Sequence, residues 1–161
     1  MAGSISKKVI FKNPIYLLAF GLGLGLLPVM PGTFGTLLGV LFYWFNNTYF
    51  GISEFILIII SFILGIYICG KTARDINYHD HPGIVFDEVV GYFITMINIP
   101  FNIAYIIIGF LLFRFFDIVK PWPIRIIDQR MSGGMGIMFD DVLAGIYANI
   151  LLNIIIYYAK T

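Results

Sequence analysis

Polar positions in this chain are sparse and grouped, and the gaps between them outline its elements. No charged residue occurs between Lys12 and Glu54, and further uncharged runs cover residues 55–70, 89–113 and 142–159. A helix needs about 20 apolar residues to cross a hydrocarbon core, so these runs predict membrane segments. Residues 13–53 are long enough for two passes, or for one pass plus a re-entrant or interfacial piece. The stretch "PVMPGTFGT", residues 28–36, interrupts them with two prolines and two glycines. Irregular backbone of that kind is tolerated at membrane depth only where protein or water satisfies it.

Charge asymmetry orders the segments. Lys71 and Arg74 precede the 89–113 run, and Arg114, Lys120, Arg125 and Arg130 follow it. The positive-inside tendency places both flanks in the cytoplasm, so the run predicts a hairpin turning at "NIPFN", residues 98–102. Each half reaches a useful length only by drawing Asp87 and Glu88, or Arg114 and Asp117, into the membrane boundary. Residues 46–54 then fall on the opposite face, and residues 142–158 cross outward again. Lys7, Lys8 and Lys12 favour a cytoplasmic start with an uncleaved end, which makes residues 14–30 the re-entrant or interfacial piece; a periplasmic N-terminus is the alternative. With no internal repeat, the expectation is one domain over residues 1–161: an all-α, polytopic membrane helical bundle with a broken or re-entrant N-terminal segment.

Composition narrows the function classes. The chain is 60% hydrophobic and only 12% charged, beyond the apolar share of soluble domains. A net charge of +1 offers no basic field for nucleic acid. The single Cys69 permits neither a disulfide framework nor a cysteine metal site.

The charges that remain are concentrated. Asp80, Asp87, Glu88, Asp117, Asp128, Asp140 and Asp141, seven of the nine acids, fall in two loops on one membrane face or at the helix ends beside them. Carboxylates so placed are unfavourable and usually functional. Gathered anionic oxygens repel one another unless a cation sits between them, and hard oxygen donors suit Mg²⁺ or Ca²⁺ rather than zinc. Arg114, Asp117 and Lys120 follow one another at three-residue intervals on one helix face before Pro121. By itself that pattern is often a surface ion pair. Its company is "DE" at 87–88 and "DD" at 140–141, which lack a basic sequence neighbour. Asp140 and Asp141 also precede an apolar run, where helix capping is the bland alternative.

The glycines and hydroxyls carry weaker signals. "GLGLG", residues 21–25, precedes no βαβ unit and is better read as helix packing, like Gly35 and Gly39 at small-xxx-small spacing. "SGGMG", residues 132–136, is either a backbone cradle for phosphate or a loop before a helix. Thr33 and Thr36 can donate hydroxyls to phosphate oxygens or cap the helix that follows. His79 and His81 make a poor zinc pair without a third soft ligand, so Asp80 between them is the stronger metal candidate.

Four blocks, "LLPVMPGTFGT", "HDHPGIVFDEVVG", "FRFFDIVKPWPI" and "GGMGIMFDDVLAG", together resemble the phosphatidylglycerophosphatase A family, in order and across nearly the whole chain. The resemblance implies a Mg²⁺-dependent phosphatase of the bacterial inner membrane, multi-pass, with its site facing the cytoplasm. It also implies phosphatidylglycerophosphate as the substrate, taken from the lipid bilayer without an obligate protein partner. Asp87, Glu88, Asp117, Asp140 and Asp141 are the expected catalytic residues. Glu88, Asp117, Asp140, Asp141 and Asp80 are the expected metal ligands, and Arg114, Lys120, Thr33 and Thr36 the expected phosphate contacts. Residue type alone leaves open whether water or an aspartate attacks phosphorus. A small cation transporter is the rival reading, since membrane carboxylates also line ion paths.

Overall fold

The computed structural model describes residues 7–78 and 81–159, and every regular element among them is helical. Two short helices, α1 (Lys7–Lys12) and α2 (Pro14–Ala19), lead into a 3₁₀ stretch, Gly21–Leu26. Then follow α3 (Pro31–Phe45), a π turn (Asn46–Phe50), α4 (Glu54–Asp75) and α5 (Phe86–Thr95). The chain closes with α6 (Ile103–Val119), α7 (Ile124–Arg130) and α8 (Gly133–Ala159). The all-α bundle with a broken N-terminal segment is therefore what the chain forms.

Local chemistry sets the breaks. Pro31 occupies the first turn of α3, where its missing N–H is no loss, and Met30 before it turns the chain at φ 50°. Asn102 starts α6 by accepting the Ala104 N–H at 2.8 Å, which places the hairpin turn at the expected position. The 27 residues of α8 and the 22 of α4 are long and apolar enough to cross a membrane. Their outer faces, with Ile59 and Ile63 on α4 and Ile150 and Ile154 on α8, are exposed. So are Ile107 and Leu111 on α6 and Leu37 and Leu41 on α3. Apolar faces on this many helices exceed what a water-soluble surface tolerates, and the protein is membrane-associated.

At the centre stands α5, only about 15 Å long. All of its residues but Glu88 are buried, packed by α3, α4, α6 and α8. A helix this short ends inside the bundle, so its last carbonyls need partners there. Asn149 of α8 supplies them, donating to the carbonyls of Thr95 and Ile97 at 2.9 and 3.0 Å. At the other end, the broken segment holds the loop entering α5. The Val85 N–H donates to the Ala19 carbonyl at 2.9 Å, and Gly25 and Gly83 meet backbone to backbone.

Two glycine readings resolve here. Gly35 and Gly39 do pack α3 closely, against Val85, Val89 and Tyr92. "SGGMG" is not a loop over its length, because residues 133–136 form the first turn of α8. There Gly134 lies against Gly70 and the Ile66 carbonyl of α4, so its lack of a side chain serves helix packing.

Candidate active site

The site grows from one helix crossing. Gly91 of α5 and Gly145 of α8 let the two backbones touch: a Cβ on Gly145 would overlap the Gly91 carbonyl, and one on Gly91 would lie 2.9 Å from the Asp141 carbonyl. Residues four apart share a helix face, so one turn before each glycine stands a carboxylate, Asp87 on α5 and Asp141 on α8. Glu88 joins them, and Asp87, Glu88 and Asp141 each bring one oxygen to within 4.8 Å of the others.

Three carboxylates this close, with Asp141 only 2% exposed, are mutually repulsive without a cation. Glu88 Oε2 and Asp141 Oδ2 are buried and make no hydrogen bond among the described residues. Buried acceptors are nearly always satisfied, so these oxygens fit a ligand, and an all-oxygen set fits a hard divalent cation.

The cations stand beside this group. Arg114, in the last turns of α6, pairs with Asp117 one turn on and lies 3.9 Å from Glu88 Oε1. Lys120 lies past the helix end rather than on its face. It caps α6 in a left-handed conformation, φ 44°, and its Nζ meets Asp140 Oδ2 at 2.6 Å. "DE" and "DD", without basic neighbours in sequence, thus gain them in space. Neither Asp140 nor Asp141 caps a helix, since α8 starts at Gly133.

Together these groups line an open cleft of about 270 Å³, closed on other sides by Met30, by Pro31 and Gly32 of α3 and by Pro82 and Ile84. Gly32 is the tight point: a Cβ there would overlap Glu88 Oε1 and lie 3.0 Å from Arg114 Nη1. The two threonines part company. Thr36 is fully buried and donates to the Gly32 carbonyl at 2.9 Å, so its hydroxyl serves the helix. Thr33 Oγ1 is buried and makes no hydrogen bond among the described residues. Asp80 and His79 lie outside the described residues.

Comparison with known proteins places the chain in a family. A family profile described as phosphatidylglycerophosphatase A (PgpA) matches residues 17–156. The chain belongs to that family. It is 46% identical to phosphatidylglycerophosphatase A of Haemophilus influenzae over 154 residues, 94% of each chain. It is 43% identical to the Escherichia coli protein of the same name over 136 residues, 83% of this chain and 78% of the relative. A protein of Bacteroides thetaiotaomicron named putative phosphatidylinositol-3-phosphatase is 36% identical over 154 residues, 89% of this chain and 96% of the relative. No solved structure matches. The four blocks that resemble the family supply the walls of the cleft: the N-terminus of α3, the N-terminus of α5, the C-terminus of α6 and the first half of α8.

Sequence reasoning placed Asp87 among the catalytic residues but not among the metal ligands. The signal was available, since "DEVVG" and "DVLAG" share a carboxylate four residues before a glycine. Its meaning depended on the two glycines facing each other.

Proposed function

We propose that this chain hydrolyses the terminal phosphomonoester of phosphatidylglycerophosphate, yielding phosphatidylglycerol and phosphate, with Mg²⁺ held by Asp87, Glu88 and Asp141. The observation that carries this reading is the single cleft in which three converging carboxylates adjoin Arg114 and Lys120. When bound, a divalent cation supplies Lewis acidity toward phosphate oxygens and lowers the pKa of water. The chain's own residues do the rest. Arg114 and Lys120 neutralise and orient the phosphate dianion, and their carboxylate partners Asp117 and Asp140 hold them in place before substrate arrives. Thr33 Oγ1, at the N-terminus of α3, donates a hydrogen bond to the same phosphate. Burial of the carboxylates lowers the local dielectric, which strengthens each of these contacts.

The cleft lies at the cytoplasmic boundary of the bacterial inner membrane, crossed several times by the chain. Support comes from Lys71 and Arg74 in the last turns of α4 and Arg125 and Arg130 in α7, basic residues that flank the α5–α6 hairpin in sequence. Cysteines placed at Asn77 and Gln129, in a background lacking Cys69, will react only with a membrane-permeant thiol reagent in intact cells. Labelling of either by an impermeant reagent breaks this topology.

The decisive assay is phosphate release from phosphatidylglycerophosphate by purified protein, with Mg²⁺ and then with EDTA. Release that stops with EDTA and returns with Mg²⁺ is expected, and no release under any divalent cation overturns the proposal. Within that assay, Lys120→Met keeps the apolar stem and deletes a charge acting on the transition state. The rate should fall on the order of 10² to 10³, without recovery at higher Mg²⁺.

A further inference from the structure

The proposed substrate poses a geometric problem: its phosphate must reach Arg114 while its two acyl chains stay in lipid. The cleft must therefore open sideways into the bilayer, and its walls differ in what they present there. The α5 and α8 walls are closed, for Asp87, Asp140 and Asp141 sit among buried neighbours. The Pro82–Ile84 wall is locked against the N-terminal segment through Gly83 and Gly25. Among the described residues, the wall bordered by exposed apolar side chains is the seam between α3 and α6. These helices run antiparallel side by side, with Gly32 against Arg114 at one end and Trp44 against Phe101, ring centroids 5.2 Å apart, at the other.

Here residues that line the cleft border exposed apolar side chains. Met30 lines the cleft and is 58% exposed. On α6, Phe115 and Ile118 each follow a cleft residue, Arg114 and Asp117, and are 55% and 64% exposed. We infer that the seam between the N-terminus of α3 and the C-terminus of α6 is the lateral portal through which substrate arrives. Its acyl chains lie along Met30, Phe34, Phe115 and Ile118 while the headgroup occupies the cleft. The occupant is the diacylglycerol part of a phospholipid, because exposed apolar side chains border the charges that would hold its phosphate. This inference rests on the phosphatase reading above.

The test compares two substrates, long-chain phosphatidylglycerophosphate and its fully deacylated, water-soluble counterpart, which carries the same terminal phosphate. The readout is the ratio of their kcat/KM values, so any general loss of folded enzyme cancels. Ile118→Trp narrows the portal and should lower the ratio about tenfold, because binding energy from the remote chains is lost. Ile60→Trp, a lipid-facing change on α4 at a residue 59% exposed, should leave the ratio within about twofold. An unchanged ratio in Ile118→Trp, or an equal fall in Ile60→Trp, overturns the portal and spares the phosphatase assignment. Wild-type protein that cleaves neither substrate overturns the assignment and the portal with it.

Discussion

The two ends of the bundle both carry polar side chains within an apolar fold, and they treat them in opposite ways. At the end away from the cleft the polar groups close on protein. Asn46 accepts from the Ile52 N–H and donates to the Ile52 carbonyl, at 3.1 and 2.9 Å. Glu54 accepts from the Asn98 N–H at 3.0 Å, and Asn149 satisfies the carbonyls ending α5. At the cleft end, Glu88 Oε2, Asp141 Oδ2, Thr33 Oγ1 and Arg114 Nε are all buried without a hydrogen bond among the described residues. A buried polar atom left unsatisfied costs about 1–3 kcal/mol. One end closes its polar groups on protein, and the other leaves buried polar atoms without a protein partner among the described residues.

The sharpest way to test that contrast is Asp141→Asn. It should lower phosphate release on the order of 10³. Thermal melting without added metal should hold steady or rise, because one of three repelling carboxylates is gone. A clear drop in melting temperature would mean that Asp141 is a structural residue like those at the opposite end.

Gly32→Ala probes the same end without touching a charge. The added methyl displaces Glu88 and Arg114, and a misplacement of that size costs about 10² in rate. Activity equal to wild type would show that the Arg114 position is not critical.

At the opposite end the expected effects reverse. Asn149→Leu leaves two buried carbonyls without their donor, and should destabilise the protein by about 1–2 kcal/mol in a denaturation assay. Its kcat should stay within about twofold of wild type, and a larger fall in kcat would couple the two ends.

The smallest effect belongs to Asp75→Asn. Asp75 is not an isolated loop residue, for it ends α4 and accepts from Lys71 Nζ and the Tyr16 hydroxyl at 2.8 and 2.7 Å. The amide oxygen retains an acceptor for Tyr16, and the exposed ion pair contributes little. Turnover should therefore change by less than about twofold. A loss approaching that of Asp141→Asn would extend the functional region to the N-terminal helices.

What the amino-acid sequence determined by itself was the distribution of polarity along one dimension. Uncharged runs marked the long helices, "PVMPGTFGT" marked the break where Met30 turns and α3 begins, and "NIPFN" marked the hairpin that Asn102 closes. Because burying charge in an apolar bundle is so unfavourable, the positions of the few charges also announced which end carries the chemistry. Tertiary structure alone decided which carboxylate meets which partner. Neighbours on a helix point about 100° apart, so Asp140 and Asp141, indistinguishable in sequence, diverge. Asp140 reaches Lys120, while Asp141 turns to Asp87 and Glu88. That choice depends on the glycine contact between α5 and α8 and on the left-handed turn that aims Lys120 back at the cleft. The glycine contact and the Lys120–Asp140 pair both join residues distant in sequence, and a one-dimensional pattern of polarity does not contain them.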